Sequence, residues 1–581
     1  MSKKSKALGL HEPLRLQEHP RPRTRREFLA QSFITGSATV IGPSLLAMLA
    51  APRYAHATLA GDIQSLLKPC SITTGAGKIP FICFDLAGGG NIAGSNVLVG
   101  GPTGQLDFLS VAGYSKLGLP GTMVPNPSTT GNFIDASFGL RYHSDSAHLR
   151  GMKLRASAKA MAGTNGTIIP ALSQNDTNTN PHNPMYGIYQ YGARGGLLNL
   201  IGSESSMSGG NSMSPPTMMI AAAQPTKVSS PADTQGLVST GQLGTLLPHP
   251  ADVTNVLESM KRVSDAKYNT VTAYANNTAL NTAALGTGTT TPGIVGCGYT
   301  KAAYTVDTYS NPGSVDPSQD PNVVGPSGIF TAAEFQANSD YQKTASIMKL
   351  VIDGNAAAGT IEMDGFDYHT GDRATGEARD LNLGNCIGAC LEYAARVGKP
   401  VMIYVFSDGS LASSGMIDSS VGGRGKGVWT ADNQNVAATY FLVYSPNGRP
   451  VPAQSNPELS LQIGNFNPDG SQNTTGSPAG NNVPNLVQMV VLNYMALHGT
   501  TAIADWPNLY GPPEILRHVT NRRTALGNAA ESRLRHTWNA RFFISRGHSR
   551  GMNSAISCLR SHATCRKGIE SLTTLRAPGG T

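Results

Sequence analysis

The chain has 581 residues, a formal net charge of +8 and only 14% charged residues. The charge is uneven. Residues 1–53 carry nine Lys/Arg against three Glu and residues 511–581 carry twelve against three, which leaves 23 basic and 30 acidic residues between them. A mildly acidic body excludes the electrostatic footprint of a nucleic-acid binder, and its length can bury one large core or two.

The first expected element is an export signal. Three lysines and five arginines lie within the first 26 residues, ending in "TRREFL". An uncharged, mildly apolar stretch follows over 28–52, and "AHA" at 55–57 reads as a cleavage site. That order is the one of a secretory signal, and the paired Arg25 and Arg26 ahead of Phe28 and Leu29 specify the twin-arginine type. Gly36, Gly42 and Pro43 argue against a spanning helix. Substrates of the twin-arginine translocase cross the membrane folded, often with a cofactor loaded, so a metal site gains weight.

Five apolar runs follow: "IPFICFDLAGGGN" at 79–91, "GTIIPAL" at 166–172, "AGTIEMDGFDYH" at 358–369, "KPVMIYVFSDGS" at 399–410 and "ATYFLVYSPNG" at 438–448. They are rich in β-branched and aromatic residues and do not alternate, the pattern of parallel strands buried on both faces. Helices are expected between them. One begins at Thr331 and Glu334, which have capping-box spacing, one covers 382–397 and one covers 483–499. The fold class is therefore α/β, an open, mostly parallel sheet covered by helices on both faces. Residues 203–325, rich in Ser, Thr, Gly, Asn and Pro, read as a loop-rich insertion or cap with one helix near 252–265. Cys386 and Cys390, one turn apart on an apolar helix face, read as buried small residues, and the seven cysteines show no CxxC pair. The basic stretch 511–581 has little apolar periodicity and reads as lying outside the fold, either a basic arm or an out-of-frame extension.

In an open α/β sheet, ligands gather beyond the carboxyl ends of the strands. Asp85 closes the first run. Asp176 and His182 follow the second. Asp364, Asp367, His369 and Asp372 follow the third, and Ser407 and Asp408 close the fourth. Carboxylates and imidazoles from several strands at one edge are what a two-metal hydrolase needs. A lone Asp at a strand end is more often a turn or cap residue, so the weight falls on Asp367 and His369 with Asp408.

The chain resembles the exported, uncharacterised "domain of unknown function" proteins of the alkaline phosphatase/sulfatase superfamily. The resemblance runs in order over most of residues 25–510: the signal, then "FDLAGGGNIAGSN" where relatives have a Gly-Gly-x-Asp-Gly-x-Asn turn, "GFDYH" for Gly-Phe-Asp-Thr-His, "VFSDGS" for Ser/Thr-Glu-Phe-Gly, "WTADNQNVAATYFLVY" for Asp-His-Gly and its strand, and "WPNLYG" for Phe-Pro-Asn-Leu. It implies an alkaline phosphatase-like fold over 58–510. Asp85, Asp367, His369 and Asp408 would be ligands of zinc, calcium or manganese, and Ser95 the nucleophile toward a small-molecule phosphate or sulfate ester. Two departures matter. Asn91 stands where relatives carry Asp, and Asn433 where they carry His, and a neutral amide binds cations more weakly. The alternative is a non-catalytic relative that binds an envelope component or serves secretion. A carbohydrate-binding surface protein is a third reading, disfavoured by the 6% aromatic content.

Overall fold

The computed structural model describes residues 59–498, except 68, 71, 73–76, 126–131, 174–179, 248, 271–290, 372, 453–456 and 478, together with 506, 509, 543 and 544. The signal region 1–57, Asp176, Asp372 and nearly all of the basic tail lie outside the described residues. Of that tail only Phe543–Ile544 is described, paired with Val451–Pro452.

Described residues of 1–70 and 240–310 form one compact unit, and those of 71–239 and 311–581 form another. The polar stretch 203–325 is therefore divided. Its middle belongs to the first unit and its two ends to the second.

The second unit is built on a sheet. Its strands are β1 (Phe81–Leu86), β2 (Thr164–Pro170), β3 (Leu198–Gly202), β4 (Thr226–Lys227), β5 (Ala356–Met363), β6 (Val401–Ser407) and, beyond a hairpin of β7 (Leu411–Asp418) and β8 (Lys426–Asp432), β9 (Ala438–Tyr444). The seven-stranded order is β2-β9-β6-β1-β5-β3-β4. All five expected runs form sheet strands. Only β9 runs antiparallel to its neighbours β6 and β2, while β1, β3, β4, β5 and β6 pair in parallel.

Principal helices among the described residues are α1 (Ala147–Arg155), α2 (Met185–Gln190), α3 (Pro250–Thr270), α4 (Thr291–Thr308), α5 (Ser339–Ile352), α6 (Arg373–Val397) and α7 (Val483–Ala496). One face of the sheet offers Phe81, Cys83, Met402, Tyr404, Phe441 and Val443 to a core shared with α2 and α7. On the other, the bare Cα of Gly359 lets Ile347 and Val351 of α5 approach. The capping box on Thr331 forms as expected, but that helix stops at Ala337, because Asn338 turns out of the helical path and caps α5. α6 starts nine residues earlier than periodicity predicts. Its polar first turns, including Arg373, Glu377 and Asp380, are buried and find partners elsewhere in the fold.

The first unit pairs α3 with α4 and ties Asp62 to Arg262 at 2.8 Å. Cys70 and Cys297, 227 residues apart, form a disulfide. Cys83, Cys386 and Cys390 are buried free thiols. Closing so long a loop restricts the unfolded chain, so reduction is expected to destabilise the first unit by about 2–4 kcal/mol. Denaturation followed with and without reductant measures this. Identical midpoints would show that the bridge adds nothing.

Candidate functional site

Register places the site. Leu86 is level with Met363 and with Ser407, so Ala87–Gly90, Asp364–His369 and Asp408–Ser410 all leave one edge of the sheet. The loop after β2 leaves the same edge, since β2 runs parallel to β6 through β9. Four of the sequence-derived candidate segments thus converge.

Their side chains form two groups, not one. The first is exposed. Asp367, His369 and Asp432 each offer a ligand atom, and these atoms lie within 4.8 Å of one another. His369 Nε2 is 2.7 Å from Asp367 Oδ1. Asp432 ends β8, so two separate segments build this group.

The second group is buried. Asp85 is wholly excluded from solvent. Its carboxylate accepts hydrogen bonds from Ser212 N at 2.7 Å and Ser212 Oγ at 3.0 Å. Asp408 Oδ1 accepts from Gly88 N at 2.8 Å and its Oδ2 from Asn211 Nδ2 at 2.5 Å. The adjacent residues Asn211 and Ser212 thereby hold the two carboxylates side by side. Glu362, level with Asp85 on β5, is a third, with Lys343 Nζ 3.5 Å from it. Gly88 joins the two groups. Its amide serves Asp408, and a Cβ there would lie 2.7 Å from Asp367 Cβ, so at φ +112 only glycine fits.

Burial raises the Asp85 carboxyl to about 7; Ser212 opposes the shift and the Asp408 charge adds to it. Burial and the neighbouring Asp364 raise Glu362 to about 8 against the pull of Lys343. Asp408 is raised as well, chiefly by burial. His182 stacks on Phe406, 5.9 Å between ring centroids, and burial lowers it to about 3. The raised carboxylates stabilise the fold fully below about pH 4 and lose that contribution as pH rises through about 7 and 8. His182 acts oppositely, its contribution being present above about pH 6.5 and lost as pH falls. Metal-free protein should therefore lose stability between about pH 6.5 and 8, and Asp85→Asn should flatten that loss. Denaturation midpoints at the two pH values test this, and equal wild-type midpoints would count against it.

Ser95 is fully buried, and its hydroxyl donates to Asn91 Oδ1 at 3.1 Å. Asn91 Nδ2 donates to Leu411 O at 3.3 Å and its backbone N–H to Tyr368 Oη at 3.0 Å. Tyr368 in turn donates to Asp380. Asn433 caps the 3-10 turn Gln434–Val436 by accepting from Asn435 N. The structure therefore brings Asp367 and His369 together, and Asp85 with Asp408, but places Ser95 in the packing behind them. Sequence reasoning passed over Asp432 and Glu362. The one signal for Glu362 was a charge inside the otherwise apolar "AGTIEM".

No family model, no curated protein and no solved structure matches this chain.

Proposed function

We propose that the chain is an exported, metal-dependent hydrolase of phosphate or sulfate esters on an alkaline phosphatase/sulfatase-like scaffold. The observation that carries this reading is the convergence of Asp367, His369 and Asp432 at the carboxyl edge of a mostly parallel sheet. One imidazole and two carboxylates suit zinc or manganese, whereas calcium calls for more oxygen donors. His369 Nε2 lies 2.7 Å from Asp367 Oδ1, and the 51% and 33% side-chain exposure of Asp367 and His369 leaves them free to rotate apart around an ion. A divalent ion held there supplies Lewis-acid polarisation of an ester oxygen and a bound water of lowered pKa.

The protein's own part is positional. Gly88 seats the Asp367 backbone against the first strand's turn. Asp85 and Asp408 stay behind it, engaged by Ser212, Asn211 and Gly88. Because the Ser95 hydroxyl is spent on Asn91 and shut from solvent, water is the nucleophile in this scheme. The twin-arginine pattern and the Cys70–Cys297 disulfide support periplasmic or secreted placement after passage through the twin-arginine translocase.

A non-catalytic envelope or secretion-associated role is the second reading. It is favoured by Asn91 and Asn433, whose amides are used in packing and capping. Aryl phosphate and aryl sulfate hydrolysis by the purified chain, with and without added zinc or manganese, separates the two. Metal-dependent turnover supports the hydrolase, and its absence with every ion would leave the second.

A further inference from the structure

Away from this edge, four cations engage two carboxylates. Glu377 accepts from Arg373 at 2.7 Å, Lys426 at 2.8 Å and Arg150 at 2.5 Å. Asp145 is clasped by Arg424 through Nε and Nη2, approached by Lys426 Nζ at 3.2 Å and faced by Arg150 Nε at 3.8 Å. Lys426 and Arg373 are buried, while Arg150 and Arg424 reach solvent with 28% and 38% side-chain exposure. The cluster thus holds an excess of two positive charges. Burial, with Lys426 and Arg373 adding to it, lowers His143 to about 4. Burial and Arg373 likewise outweigh two carboxylates in lowering Lys426. Arg424 is also the one non-glycine at positive φ among the described residues, +59. Such a conformation gathers at ligand clamps. Arg150 Nε is buried and makes no hydrogen bond.

We propose that Arg150 and Arg424, backed by Lys426, form a binding site for a tetrahedral dianion of the phosphate or sulfate type. A dianion matches the charge excess, and the two partly exposed guanidinium groups, once released from Asp145, suit recognition of its oxygens. Asp145 holds Arg424 until the ligand competes for it. The site is independent of the candidate metal centre, since it shares no residue with it.

Titration calorimetry of the full exported chain, stripped of metal with chelator, tests this with inorganic phosphate and sulfate as separate probes. The expected result is one anion per chain, bound at least about tenfold more weakly by Arg424→Gln and by Arg150→Gln, as loss of a charged hydrogen bond implies. Asp145→Asn removes the competing carboxylate but no cation and should bind more tightly, an outcome that misfolding does not mimic. Asp367→Ala should bind like wild type. Absence of binding, wild-type affinity in both arginine variants, or weaker binding by Asp145→Asn would overturn the proposal. Comparison of the two anions identifies the ligand class.

Discussion

Glu377→Gln is expected to lower the stability of the sheet-bearing unit by about 3–5 kcal/mol, because removing one partner of a buried ion pair leaves uncompensated charge inside. Here the loss is concentrated. One carboxylate, 5% exposed, faces Arg373 at 1% and Lys426 at 0%. Burial alone would raise its pKa, yet Arg373 and Lys426 outweigh that and hold it low. Neutralising it exposes the two cations to each other in a region already net positive. Trp429, buried with the Arg373 guanidinium 4.5 Å from its ring centroid, reports the unfolding of this cluster by fluorescence. The double variant Glu377→Gln/Lys426→Met removes one cation as well and should recover part of the loss. A single variant within about 0.5 kcal/mol of wild type, the range of an ordinary surface change, would refute the buried-charge account.

The second large effect concerns the candidate metal centre, where the side-chain cluster sets Asp432 beside Asp367 and His369 and the sequence resemblance pointed to Asp408. Asp367→Ala, His369→Ala and Asp432→Asn should each weaken zinc or manganese binding more than about 100-fold, since even residues behind a ligand cost 10–100-fold. Ester turnover should fall about a thousandfold, the equivalent of several kcal/mol of Lewis-acid stabilisation. Asp408→Asn should leave metal affinity within a few-fold, because that carboxylate is committed to Gly88 and Asn211. A strong effect at Asp408 with none at Asp432 would reverse the assignment.

Much of the fold was legible because burial on both faces leaves long apolar runs, and five of these became sheet strands. The reversal of β9 was not legible. Pairing direction follows from the connection, and the β7–β8 hairpin before it is rich in Ser and Gly. β3 and β4 are short, and β4 is partly exposed, so neither leaves a pattern. The Cys70–Cys297 bridge spans 227 residues, and spacing carries no signal at that distance. The site was half legible. Strand ends located the carboxylates on one edge, but only packing decides which of them turn inward. Asp408 turns in to cap the Gly88 turn, while Asp367 stays out because Gly88 occupies the space behind it.

Asn91 sharpens the point. By resemblance it stands where a ligand is expected. In the fold its amide must both donate to Leu411 O and accept from Ser95, which an ionised carboxylate cannot do. The residue is therefore accounted for by packing.

The hydrolase proposal is tested most directly by the metal content and ester turnover of the purified chain, set beside Asp367→Ala. The expected result is one zinc or manganese per chain, metal-dependent hydrolysis of an aryl phosphate or sulfate, and loss of both in the variant. Less than one equivalent of bound metal with no turnover, or wild-type metal content and rate in Asp367→Ala, would contradict it.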